Sequence, residues 1–432
     1  MATEVVKVID PDSGSGYNYD SLYDWEAGEQ GDLTGARNEI AVAKCRCTGG
    51  TADTTYFTID GWTTSATQYI KIWTDPTESY RHNGIVYPSG NVYRFESNVA
   101  NAFNVRESYV YIQGLALKHE AVYGDTIYFL RTTTGCSYLY IDKCLFKLGN
   151  DSVGICPDYG TTPVYITNCI FFSNGTKAYS AGIRTGSIST PDLYVYNCTV
   201  FGVRFGYRQT VGTFVCKNCI SGNNTDDFYG TITIDYCASD DVDGTNAVDL
   251  SPGGTESADW DACFVDYENG NLNLNSDSVC VGSGLNLYND ATYPFQDDII
   301  GTDRGGDGAS WDIGAFEYVA VSGITGTVCF GHVTGVTEEN AEPFSTWTGT
   351  GTVVGSGDSE RLELLSGEYM NSPFITKSGM VESALDVYAS GGKPATLKYR
   401  TGANQTACEA ASFITYTVPF EALGVVQLRV EA

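Results

Sequence analysis

Between Val164 and Phe172 the chain reads VYITNCIFF. Val164 and Ile166 share one face, as alternate residues of a half-buried strand do. The next apolar pair, Cys169 and Phe171, falls on the opposite parity, and the break comes at Asn168. Asn-Cys recurs at Asn197-Cys198 and Asn218-Cys219. Six segments align on that position: YVYIQGLAL from Tyr109, YLYIDKCLF from Tyr138, PVYITNCIF from Pro163, DLYVYNCTV from Asp192, TFVCKNCIS from Thr213 and TITIDYCAS from Thr231. Their anchors are Leu115, Cys144, Cys169, Cys198, Cys219 and Cys237, spaced by 29, 25, 29, 21 and 18 residues.

An odd step between two inward pairs requires a corner, so each copy is two short strands joined by a sharp bend. The residue before the anchor is Gly114, Lys143, Asn168, Asn197, Asn218 or Tyr236. Gly and Asn best tolerate the left-handed backbone that such a bend needs. A bend repeated at this spacing, with few helical windows between, predicts a parallel β-solenoid whose equivalent residues stack in ladders. Cys144, Cys169, Cys198, Cys219 and Cys237 then form a buried structural ladder, with disulfides between coils as the alternative. NEIAVAKCRC from Asn38, YFTIDGW from Tyr56, YIKIWTD from Tyr69 and GNLNLNSDSVCVGSG from Gly270 extend the texture. The expected solenoid covers residues 38–320 in about ten coils, a rod about 50 Å long at the strand spacing. Residues 1–37 are expected to cap it, with a short helix at Leu22–Glu29 started by Ser21 or Asp20.

After residue 320 the pattern becomes clean alternation, as in RLELL from Arg361, ATLKYRTG from Ala395 and VVQLRVEA from Val425. This predicts a small antiparallel β-sandwich, jelly-roll-like, over 321–432. Trp347, Tyr369 and Tyr399 are its candidate carbohydrate or subunit contacts, with core packing as the competing reading. Cys329 and Cys408 are its two cysteines.

Composition sharpens the picture. Tyr is very abundant (30), as suits the pleated surface of a β-rich chain, Gly is abundant (49), and the formal net charge is −29. Such a chain repels phosphate backbones, so nucleic acid is not an expected partner. With 3 His among 14 Cys, a His-rich metal site is not expected. No cofactor is expected either. Asp240, Asp241 and Asp243 are compatible with a bound calcium ion but lack strict loop spacing. MATEVVKVIDPDSG has no basic segment leading an apolar core, so neither a signal peptide nor membrane insertion is expected.

The repeats resemble right-handed parallel β-helix proteins, the class that holds pectate lyases and phage tailspikes. DDIIGTDRGGDGASWDIGAFEY, from Asp297 to Tyr318, is similar to the closing motif of bacterial and phage β-helix proteins, and YDSLYDWEAGEQGDL, from Tyr19, to their start in phage genomes. The resemblance spans about three quarters of the chain. Within the motif Asp298, Arg304, Asp312 and Glu317 are expected to close the last coil through ion pairs and hydrogen bonds. The resemblance implies a structural or adhesive virion component, a fibre, spike or decoration protein. Its partners would be other virion proteins, further copies in a homo-oligomer such as a trimer, and cell-surface glycan. The alternatives are a polysaccharide lyase or glycoside hydrolase, with Asp226-Asp227 or Asp240-Asp241 as acid candidates, and a secreted bacterial adhesin.

Overall fold

A computed structural model of the 432-residue chain describes residues 2–319, except 86, 120–126, 133–135, 137, 159–162, 176–178 and 187–190, with backbone alone at 127–129. Beyond 319 it describes the backbone of individual strands. The chain divides into two compact units, Met1–Tyr318 and Val319–Ala432.

The first unit is a right-handed parallel β-helix with three sheets of nine, eight and seven parallel strands. One coil shows the rule. Leu139–Asp142 belongs to the first sheet, Leu145–Leu148 to the second and Ser152–Pro157 to the third. Each strand pairs in register with its equivalent in the next coil, so inward rows run unbroken along the axis. Val110, Leu139, Val164 and Leu193 form one row, and Leu117, Phe146, Phe171 and Val200 another. All eight are buried. Stacked identical shapes keep the interior close-packed without interlocking side chains from opposite ends of the sequence.

The corner before each anchor is left-handed. Lys143, Asn168, Asn197, Asn218 and Tyr236 have φ between 49° and 56°, and Gly114 has φ 73°. The Asn residues therefore mark the corner, and the thiols open the second sheet. Cys144 N–H donates to Cys169 Sγ at 3.4 Å, Cys169 N–H to Cys198 Sγ at 3.4 Å, and Cys219 N–H to Cys237 Sγ at 3.3 Å. All five thiols are buried and none forms a disulfide. Burial pushes the Cys144, Cys169 and Cys237 thiols well up, which keeps them unreactive.

The solenoid's limits differ from those read off the sequence. Thr3–Ile9 is already a strand of the first sheet, paired in parallel with Glu39–Cys45, so the winding starts inside the segment expected to be a cap. Helix Leu22–Glu29 follows it, with Ser21 Oγ accepting from Asp24 N–H at 3.1 Å. It seats Trp25 against Trp62, ring centroids 5.4 Å apart. Parallel winding ends at Val248–Asp249, not near residue 320. Helix Glu256–Cys263 comes next, then an antiparallel pair, Phe264–Asp266 with Asn271–Leu274. GNLNLNSDSVCVGSG is thus not a coil. Asp266 pairs with Asn271 around a tight turn, and Gly270 at φ 85° ends it; a parallel crossover needs a far longer connection.

In the second unit, Gly424–Glu431 pairs antiparallel with Thr396–Gly402, Tyr369–Asn371 and Ile375–Lys377. Tyr369 stands in register with Glu431 and Tyr399 with Leu428. Their side chains, together with Trp347, Cys329 and Cys408, lie outside the described residues.

Candidate functional site

Residues 282–318 form a strap that runs back along the outside of the solenoid. Its seat is the corner ladder. Asn168, Asn197 and Asn218 are at most 1% exposed, because the strap covers them. Asn218 Nδ2 donates to the Leu285 carbonyl and to Asn197 Oδ1, and Asn197 Nδ2 donates to the carbonyls of Asp312 and Gly314. The Gly314 N–H returns a bond to the Asn218 carbonyl at 2.8 Å, and Ala315 N–H bonds to Thr199 Oγ1 at 3.1 Å. Lys143 pairs with Asp297, and Lys217 with Asp290 at 2.6 Å. Ile299, Ile313, Ala315 and Phe316 pack with Leu145, Ile170 and Ile220 on the outer face of the second sheet. Ile170, Phe171 and Phe172 are accordingly all buried, one facing the core and two facing outward beneath later chain.

The four charged residues of the motif work within this strap. Arg304 is 2% exposed; its guanidinium donates to Glu317 Oε2 and the Gly314 carbonyl at 2.9 Å each, and to Asn168 Oδ1 at 3.4 Å. Asp298 accepts from the N–H groups of Ile300, Thr302 and Glu317. Asp312 accepts from Gly282 N–H at 2.6 Å and from Tyr318 N–H. Burial pushes the Glu317 carboxyl up to about 7 against the pull of Arg304, and lowers the guanidinium. The structure corrects the expected role: these residues bind the strap along the flank of several coils rather than closing the last one. The reason is that the αL corners turn their Asn side chains outward, giving the returning chain a row of amides to bond.

A second cluster lies on the third sheet, which repeats a four-residue unit: Val153-Gly154-Ile155-Cys156, Ala181-Gly182-Ile183-Arg184, Phe205-Gly206-Tyr207-Arg208 and Asp226-Asp227-Phe228-Tyr229. The two middle residues turn inward. A Cβ at Gly182 would lie 2.6 Å from Val200, and one at Gly206 2.0 Å from Ser221 Oγ. The outer residues face away from the axis. Arg208 lies over Phe205 (4.6 Å) and Tyr229 (5.5 Å), and Arg204 over Phe205 (4.9 Å) and Tyr179 (5.8 Å). The last unit puts Asp227 where the others carry Gly. It is 2% exposed and accepts from Ser221 Oγ and Asn224 Nδ2 at 2.9 Å and from Asp240 N–H at 3.0 Å. Burial raises its carboxyl to about 7. Asp226 and Asp243, outside, are also raised, by desolvation and by Asp241.

The structure thus separates the acid candidates. Asp227 is internal, Asp240 accepts from Trp260 Nε1 at 3.0 Å, and Asp226, Asp241 and Asp243 form an acidic group whose charges act on one another. Among the described residues no group of three or more His, Cys, Asp or Glu is arranged to hold a metal ion. Sequence reasoning missed Tyr179, Arg204, Phe205, Arg208 and Tyr229. Their signal was the repeated Gly-apolar-Arg of AGIR and FGYR.

The first sheet carries a different outward row. Tyr111, Tyr140, Tyr165 and Tyr194 stack with centroids 4.4, 5.0 and 5.5 Å apart, and Tyr293 of the strap stacks on Tyr165 at 5.0 Å. Ring faces in such a column are occupied by neighbouring rings, so this row offers a ligand edges and hydroxyls rather than faces.

The chain is a parallel β-helix protein. No family model matches it, and no curated protein does. Among solved structures it is similar to two of pectin methylesterase from Aspergillus niger, one in penultimately deglycosylated and one in deglycosylated form. Identities are 14% and 13%, covering 60% and 57% of this chain and 87% and 85% of those chains, with a TM-score of 0.34 for both. A likeness at that level assigns neither activity nor substrate.

Proposed function

We propose that this protein is a structural and adhesive component of a phage particle, a fibre, spike or decoration protein, that presents a stiff β-helix and a second unit read as a β-sandwich for binding or assembly. Its partners on this reading are other virion proteins or further copies of itself, and a cell-surface glycan. The observation that carries it is the strap. Nine parallel strands at about 4.8 Å give a rod about 40 Å long, whose weak direction is separation of one coil from the next. The strap bonds to the corners Lys143, Asn168, Asn197 and Asn218 in series, so pulling these coils apart breaks the strap's bonds as well as the strand ladders. That is the build of an element that bears load. The test is the mass of the assembled particle or oligomer: several copies held together support the reading, and a monomer that joins no assembly overturns it.

A second reading, a polysaccharide lyase or glycoside hydrolase, has one observation in its favour. Asp226 and Asp243 have carboxyls raised by desolvation and by the neighbouring Asp241. Release of reducing ends or unsaturated sugars from capsular polysaccharides, lost in Asp226→Asn, would establish it and displace the first.

A further inference from the structure

We propose that the outward tyrosine column of the first sheet is a site of oxidative cross-linking: two one-electron oxidations join Tyr111 to Tyr140 as dityrosine and so fasten one coil to the next by a covalent bond. The inference goes beyond the structural reading and does not depend on it.

Tyr111, Tyr140, Tyr165 and Tyr194 occupy one ladder position on four consecutive coils, so each ring stands one strand spacing from the next. Tyr111 and Tyr140 are the closest and most parallel of these pairs, with centroids 4.4 Å apart and planes 4° from parallel. Both rings leave equivalent positions of parallel strands, so their hydroxyl ends point the same way. Burial, and then the neighbouring Tyr111, push the Tyr140 hydroxyl up to about 12. The rings lie on the outer face and are half-buried. The Cys144 and Cys169 thiols of the same stretch, which oxidants also attack, are buried on the inside. An oxidant in solution therefore reaches the phenols before those thiols. Stacking by itself needs no hydroxyl: Phe146 and Phe171 stack inside the solenoid at 4.4 Å and 12°. The phenols make the outer column chemically different from the inner one.

Each phenol gives up one electron and its hydroxyl proton. The radical left behind shares its unpaired electron between the oxygen and the ring carbons ortho and para to it. The para carbon carries Cβ, so two such rings join through their ortho carbons. One C–C bond forms, the hydrogens on those two carbons pass to the oxygens, and the pair has lost two electrons and two protons in all. Hydrogen peroxide acting through a peroxidase accepts both and becomes two waters. The new bond lies in the plane of both rings, so the stacked rings swing edge to edge, and their half-exposed position gives them solvent to swing into. Two rings already in contact couple without a diffusional encounter, which favours a bond within one chain over a bond between chains.

Photo-oxidation of the full chain by a ruthenium(III) complex, with persulfate as the final two-electron acceptor, tests the inference. Dityrosine fluorescence should appear in the monomer-sized band of a denaturing gel, with a yield per chain that is unchanged on dilution. Tryptic digestion should give peptide 107–118 joined to peptide 132–143 with the loss of two hydrogens, and fragmentation should place the bond at Tyr111 and Tyr140. Tyr140→Phe keeps a ring in the column and should abolish that joined peptide. Tyr56→Phe, at a ring 63% exposed, should leave it unchanged. Absence of dityrosine, dityrosine formed only between chains, a joined peptide that survives Tyr140→Phe, or one that Tyr56→Phe abolishes would overturn the inference. Each of these leaves the particle-mass measurement, and with it the structural reading, standing on its own result.

Discussion

Asn218 holds Leu285, 67 residues later in the chain, by both ends of one amide: Nδ2 donates to the Leu285 carbonyl and Oδ1 accepts from its N–H, each at 2.7 Å. The same residue has φ 51°. One side chain therefore satisfies a backbone corner and a docking contact, and substitutions separate the two. Asn218→Gly keeps the left-handed corner but leaves two partly buried backbone groups of Leu285 without that partner, at about 1–3 kcal/mol each. Asn218→Ala adds about 1–2 kcal/mol for the corner itself. Urea unfolding should rank wild type above Gly above Ala, and limited proteolysis should cut the strap faster in both variants.

Arg304 and Glu317 make a second separable contact. The guanidinium is buried, 2.9 Å from its carboxylate, and also donates to the Gly314 carbonyl. Removing one partner of a buried pair leaves the other charge uncompensated, at about 3–5 kcal/mol. Arg304→Met should cost that much in a denaturant titration at pH 8, above the value near 7 that Glu317 holds beside Arg304, and less at pH 5, where Glu317 is protonated. Arg304→Met with Glu317→Gln should recover a good part of it, because no charge is then stranded. Equal losses in both variants would mean that packing of the Arg side chain, not charge, holds the strap.

The corner at Tyr236 makes the opposite prediction. An aromatic side chain there occupies φ 52°, where its counterparts on three other coils are Asn. Left-handed backbone costs a non-glycine residue about 1–2 kcal/mol, and Asn less than a bulky residue. Tyr236→Asn should therefore raise stability by about 1 kcal/mol. Lys143→Asn should not, although Lys143 has φ 56°, because it removes the Asp297 pair that ties down the strap. The urea midpoints of the two variants, compared with wild type, check this.

These residues also show what was legible in the sequence. The corner and the thiol ladder were readable because period-two alternation fails at one defined place in each copy, and Asn168, Asn197 and Asn218 mark it. The strap was not. Its partners lie 67 to 154 residues away and bond through corner side chains and backbone carbonyls, which leave no periodic trace. Ile170 and Phe172 were its only hint: apolar residues on the outward parity of a strand that should have been half exposed. Thr3–Ile9 was hidden for a related reason. As an edge strand it buries little, so TEVVKVI has weak alternation and reads as a cap. On the third sheet, pairs of inward residues at Gly182-Ile183 and Gly206-Tyr207 break the two-residue period, which is why the arginines beside them were not placed on one face.

Asp227 links the last coil to pH. It occupies the position that Gly206 and Gly182 hold in earlier coils, with its carboxyl inside the solenoid and near 7 because of burial. In an unfolded chain the same group titrates near 3.9. The folded state thus binds the proton more tightly, and stability falls as pH rises between about 4 and 7. The contribution is intact below the unfolded value and lost above the folded one, with a ceiling of about 4 kcal/mol from the size of the shift. Glu317, also near 7, adds to the fall in the same direction, and Asp240, raised by burial, faces Asp227 and repels its ionised form. Urea midpoints measured from pH 5 to pH 8 should drop across that range. Asp227→Asn removes one titrating group and also one acceptor for the Asp240 N–H, a loss that does not vary with pH. The variant should start lower at pH 5 and lose less by pH 8, so that the two curves converge or cross. Parallel curves would mean that Asp227 is already ionised throughout the range and that the pH dependence belongs to the strap.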